Sequence, residues 1–211
     1  MQHTVKNGAL RVSWRARIGT TLLVLVGLST GLPVRAQDGK VAFTDWRFEV
    51  GPYAGAYIPT GNQRDFVTGA LLTGLQLSVL PHRRFALTVN YGWAATRDRQ
   101  IAESRALDTY QMDIGGEWRM PACYRRGSWQ LVPFVGAGAG GRTYDYRDVA
   151  VSSRTDMVGY AAVGGEVDFG GWGIRLEARD HRSQSRTLAA PEASPTMRND
   201  INIASGFSRR F

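Results

Sequence analysis

From Asp45 to the end of the chain, apolar and polar residues alternate with a period of two, and no helix-period segment interrupts them. In a first strand Trp46, Phe48, Val50, Pro52, Ala54, Ala56 and Ile58 share one face, while Arg47, Glu49, Gly51, Tyr53, Gly55 and Tyr57 share the other. A second sets Leu71, Thr73, Leu75, Leu77 and Val79 against Leu72, Gly74, Gln76 and Ser78. The third is the clearest, with Phe85, Leu87, Val89, Tyr91 and Trp93 opposite Ala86, Thr88, Asn90 and Gly92. A fourth alternates Tyr110, Met112, Ile114, Gly116 and Trp118 with Gln111, Asp113, Gly115, Glu117 and Arg119. The fifth runs from Trp129 to about Tyr144, and its Pro133-Phe134-Val135-Gly136-Ala137 echoes Pro52-Tyr53-Ala54-Gly55-Ala56. A weaker sixth spans Thr155 to Asp168, a seventh sets Trp172, Ile174, Leu176 and Ala178 against Arg175, Glu177 and Arg179, and an eighth runs from Ile201 to Phe211.

Short or moderate connections at Pro81, Met120 to Ser128 and Phe169 to Gly171 alternate with longer polar ones. The longer ones are Pro59 to Gly69, Ala95 to Leu107, Tyr146 to Ser153 and Arg182 to Arg198. An even number of such strands suits a sheet that crosses lipid, where every backbone group must be paired and the sheet must close on itself. The competing arrangement is a soluble lipocalin-like barrel or sandwich, with the apolar face turned inward. Tryptophan placement separates the two. Trp46, Trp118, Trp129 and Trp172 fall at one set of strand ends and Trp93 at the other, as an interfacial aromatic belt requires. The predicted fold is all-β: an eight-stranded antiparallel transmembrane up-and-down β-barrel over residues 45–211.

The segment before the strands has a different character. Lys6, Arg11, Arg15 and Arg17 precede an apolar stretch from Ile18 to Leu32, followed by Pro33 and by Val34-Arg35-Ala36. About 15 apolar residues fall short of the roughly 20 that a spanning helix needs. Residues 1–36 are therefore expected to be a cleaved secretory signal peptide, and 37–44 a short periplasmic segment. Cleavage changes the charge. The full chain carries +8, but the leader removes five basic residues and no acids, leaving +3. The basic balance is thus mostly targeting chemistry, and no nucleic-acid partner is expected. The single cysteine, Cys123, excludes an internal disulfide.

The chain resembles the small OmpA/OmpX-type barrels and, more broadly, the "outer membrane protein β-barrel domain" family. The resemblance covers the whole mature chain. It rests on the leader, the strand count, Pro52-Tyr53-Ala54-Gly55-Ala56-Tyr57-Ile58-Pro59-Thr60-Gly61, Arg175-Leu176-Glu177-Ala178-Arg179-Asp180 and the aromatic Phe211. It implies a location in the outer membrane of a Gram-negative-type cell, with both termini periplasmic and the long loops outside. It also implies that Phe211 is the signal read by the barrel insertion machinery, and that the barrel is a monomer in contact with outer-membrane lipid. Two departures stand out: Arg209 where the closing strand usually carries an apolar residue, and the absence of a cell-wall-binding domain.

Candidate chemistry then lies in the lumen and loops. The inward face carries Glu49, Asp113, Glu117, Glu166, Asp168 and Glu177 against Arg47, Arg119, Arg142, Arg175 and Arg179. An eight-stranded barrel is only wide enough for side chains, so these charges are expected to pair as a plug. The alternative is a narrow gated channel for ions or small solutes in which Arg175 or Arg179 exchanges partners around Glu117. A catalytic reading rests on His181 and Ser183, two residues apart, with Glu192 in the following loop; the resemblance here is to lipid A-modifying outer-membrane enzymes. The Asn-Ala-Gly that follows the serine in those enzymes is missing, and the pair's parity points into the lumen. Arg97, Arg99, Arg105, Arg147, Arg154, Arg182 and Arg186 make the long loops basic, which would suit lipopolysaccharide phosphates. His3, His82 and His181 form no ligand cluster, so no metal or cofactor is expected. Gly136 to Gly141 has no following helix and suits a close-packed wall better than a phosphate loop.

Overall fold

A computed structural model describes residues 46–99, 105–147, 153–185 and 196–211. The expected leader (1–36) and the 37–44 segment lie outside them, as does Glu192. The described chain forms β1 (Arg47–Thr60), β2 (Ala70–His82), β3 (Phe85–Arg97), β4 (Ala106–Arg119), β5 (Tyr124–Arg126), β6 (Trp129–Tyr146), β7 (Arg154–Phe169), β8 (Trp172–Ser185) and β9 (Thr196–Arg210). Each barrel strand pairs antiparallel with the next, β4 pairs with β6, and β9 returns to pair with β1. The result is a closed, eight-stranded, antiparallel up-and-down barrel. The ninth strand, β5, is a three-residue ribbon on the start of β6, inside what the sequence marks as a connection.

Alternation decides which face is which. Leu71, Met112, Ile114, Leu176 and Ile203 point outward and are exposed, while Asn90, Glu117, Arg119, Arg175 and Glu177 point inward and are buried. An apolar exterior around a polar interior is the transmembrane arrangement, and the apolar-inside alternative is excluded. Trp118, Trp129 and Trp172 are exposed at the barrel end that also holds Trp46 and Phe211, hereafter the near end. Trp93 stands four residues short of the end of β3, and its Nε1–H donates to Asp108 Oδ1 at 2.9 Å. The strands therefore continue past the far belt. The predicted loop from Arg182 to Arg198 is shorter than expected, because the β8–β9 ladder runs on through Ser185↔Thr196.

Packing inside so narrow a barrel requires large and small residues to alternate across the wall. Arg175 sits beside Gly206, Glu177 between Gly164 and Ala204, and Glu117 between Ala86 and Gly136. Tyr53 lies across Gly74 and Tyr160 across Gly138. A Cβ added at Gly138 would stand 2.3 Å from the Ile114 carbonyl oxygen and 2.7 Å from Tyr160 Cε1, so the neighbouring strand and the ring together occupy the space that the glycine leaves.

Candidate functional site: the charged lumen

A continuous ladder of ion pairs climbs the lumen from the near mouth. Arg210 donates through Nε to Glu49 Oε1 at 2.6 Å and through Nη2 to Glu166 Oε1 at 3.0 Å, and its Nη1 reaches Asp168. Arg119 grips the same Glu49 with both terminal nitrogens, at 3.0 and 2.6 Å, and donates to Glu117 at 2.9 Å. Arg175 donates to the other oxygen of Glu117 at 2.5 Å and through Nε to Glu177 at 2.8 Å. Glu177 also binds Arg179, whose Nη1 lies 3.5 Å from Asp113, and His181 Nε2 lies 3.1 Å from the same carboxylate. Aromatic faces fill the gaps: the Arg175 guanidinium lies 3.6 Å from the Phe134 centroid and that of Arg179 lies 5.0 Å from Tyr160. Taking so many charges out of water costs several kcal/mol per ion unless each is paired. Shared carboxylates and bidentate arginines meet that demand.

A second polar group closes the far half. Arg142 pairs with Asp200, which accepts from Tyr57 Oη at 2.9 Å, and Gln63 Nε2 donates to Tyr57 Oη at 2.9 Å. Gln63 belongs to a 3-10 turn, Gly61–Asp65, in the first long connection. The sequence reads that connection as one of the long polar ones. Instead Gln63 and Val67 are buried, and Val67 packs in an apolar cluster with Tyr57, Leu72, Ala94, Leu107, Tyr144 and Tyr146. Gln63 turns inward because the barrel offers it the Tyr57 hydroxyl. At the rim beyond, burial and the Asp98 carboxylate that accepts its hydroxyl hold the Tyr146 phenol above its ordinary range. Beside the ladder lies a cavity of about 40 Å³, bordered by Tyr53, Gln76, Asn90, Gln111 and Arg179. Neither amide atom of Asn90 has a protein partner. A space of this size admits a few waters and no larger solute.

All six predicted acids and Arg119, Arg175 and Arg179 join the ladder. Arg142 is fully buried but belongs to the separate Asp200 group. Arg47 is the correction: it has the inward parity and pairs with Leu80, but it is exposed at the first position of β1, beyond the Glu49↔Arg210 pair that ends the β1–β9 register. Arg210 takes the place it was expected to fill. Arg210 and Asp200 were missed, although both share a parity opposite to the apolar face of Ile201 to Phe211. His181 and Ser183 were placed at a strand end leading into a loop, but both are buried inside the paired β8–β9 ladder. They share the lumen face, yet Ser183 Oγ and His181 Nδ1 have no hydrogen-bond partner, so no bond joins nucleophile to base. The carboxylate beside His181 is Asp113.

Comparison with solved structures places this geometry among small outer-membrane barrels. The Neisserial surface protein A shares 11% identity, with a TM-score of 0.56 over 78% of this chain and 97% of its own. The N-terminal β-barrel domain of Pseudomonas aeruginosa OprF shares 10%, with a TM-score of 0.49 over 78% and 97%. The attachment invasion locus protein Ail of Yersinia pestis shares 12%, with a TM-score of 0.44 over 79% and 97%. At such identities the likeness is one of fold. No family model matches the chain, and no curated protein matches it by sequence.

Proposed function

We propose that this protein is a non-enzymatic barrel of the outer membrane, with a structural or surface-interaction role and a lumen sealed by its own charges. The observation that carries this reading is the unbroken ladder from Arg210 to His181, which leaves a cavity of only about 40 Å³. On this reading the near end faces the periplasm. The far connections face outward, where their arginines meet lipopolysaccharide phosphates, and residues 1–36 direct export. Bilayer conductance is the test. The wild-type barrel is expected to be silent, and steady single-channel steps would refute a sealed lumen.

One observation favours a second reading, a narrow gated path. Arg175 is shared between Glu117 and Glu177, and the Asn90 cavity lies beside Arg175 and Arg179. Moving Arg175 wholly to Glu177 would open polar space without leaving a charge unpaired. Channel steps that change in Arg175→Ala or Glu177→Ala would support it. An outer-leaflet lipid enzyme is a third class, and it depends on Ser183. We expect Ser183→Ala to leave lipid A acylation unchanged.

A further inference from the structure

The near end carries a ring of arginines that the lumen does not use. Arg47, Arg83, Arg84, Arg125, Arg126 and Arg209 are all exposed there. The acids described at that end, Glu49, Glu117, Glu166 and Asp168, are buried and bound by Arg119, Arg175 or Arg210. None of the six exposed arginines forms an ion pair among the described residues. The far end is mixed. Arg147 binds Asp108, Arg154 binds Asp156 and Arg182 lies 3.4 Å from Asp180, whereas Arg97 and Arg99 form no ion pair among the described residues and so serve as a matched control.

Arg209 shows what kind of surface the ring is. It faces outward, where the barrel meets lipid, with its guanidinium 4.3 Å from the Trp172 ring centroid and 5.9 Å from that of Phe211. Trp172 stacks on Phe207 at 4.9 Å, and Trp129 on Phe169 at 5.4 Å. A cation held among outward-facing rings is placed at headgroup depth, since the aromatic girdle marks the water–lipid boundary. The β5 ribbon repeats the combination, with Arg125 and Arg126 following exposed Tyr124. A merely solvated rim has no need of ring neighbours. The planar guanidinium fork also matches a phosphate better than an ammonium does.

We propose that the near-end rim binds the phosphate headgroups of anionic phospholipids in the adjoining leaflet. The proposal rests on the chain being a membrane barrel. Its test uses the full mature barrel refolded into mixed phosphatidylcholine–phosphatidylglycerol vesicles, with one lipid brominated at a time to quench the near-end tryptophans. The wild type is expected to show stronger quenching by the brominated phosphatidylglycerol, since each basic residue near an anionic surface adds on the order of fivefold. That preference should fade as salt rises. R83Q/R84Q/R125Q/R126Q should bring the two lipids close to parity, whereas R97Q/R99Q at the far end should not. Equal quenching in the wild type, or a preference that survives in the rim variant or in high salt, overturns the proposal. So does binding of dextran sulfate through the same arginines without any lipid preference, which would assign the rim to a soluble polyanion. A heat-dependent gel shift of the wild type separates the two readings. A shift without lipid selectivity removes the rim alone, and no shift in any vesicle removes the membrane barrel with it.

Discussion

Arg209 and Arg210 are neighbours with opposite surroundings: one lies over Trp172 on the lipid side, the other among Glu49, Glu166 and Asp168 in the lumen. A slip of one residue would exchange them, so the register of β9 is strongly specified. The same contrast sets the size of mutational effects. Arg119→Ala leaves Glu49 and Glu117 short of their shared partner in a buried site and should cost about 3–5 kcal/mol. Arg147→Ala breaks the exposed Asp108 pair and should cost less than about 1 kcal/mol. Urea unfolding of both variants in the same lipid checks the difference. Gly138→Val must push against the Ile114 carbonyl of the neighbouring strand as well as the Tyr160 ring, and an overpacked site of this kind should cost at least about 1–3 kcal/mol, seen as a lower temperature for the gel shift. Which side chains face the lumen was legible from parity alone, as Glu117, Arg175 and Glu177 show. Which ones touch was not. Partnership depends on strand tilt and stagger, which a two-residue period does not encode.

At the scale of elements, the short turns were readable and the long ones were not. The β7–β8 connection is the pair Gly170-Gly171, with φ of 69° and 87°, the left-handed geometry that a two-residue hairpin demands. Gly171→Val should cost about 1–2 kcal/mol for its forced left-handed backbone, read as an earlier urea midpoint. Strand lengths were underestimated at the far end, because polar residues such as Arg182 and Asn199 still pair their backbones beyond the belt. The 61–69 segment was misjudged for a different reason: Gln63 looks like loop chemistry until Tyr57 supplies its partner. The closing β1–β9 seam runs from Glu49↔Arg210 to Thr60↔Asn199, and the last residue extends it. Phe211 donates to the Phe48 carbonyl at 2.9 Å and accepts from the Phe48 amide at 3.2 Å. Deleting Phe211 should lower the fraction of chains that shows the gel shift, through loss of these bonds alone even in detergent refolding.

For the molecule as a whole, strand number, inside-out polarity and closure follow from alternation and from the lipid's refusal to hydrogen-bond, and all are present in the structure. The role is less legible, because a lumen filled with paired charges and connections of polar sequence carry no motif that names a partner. The pairing of β1 with β9 has a consequence in time. The strand that leaves the ribosome first must wait for the one that leaves last before its open edge is covered. Until then it is a template for any other strand it meets. Nearly all of the native ladder can exist with the cylinder still open, and such a species is prone to misassembly. Until β9 joins β1, that edge has to be kept from other strands, a burden set by topology rather than by the stability of the finished barrel.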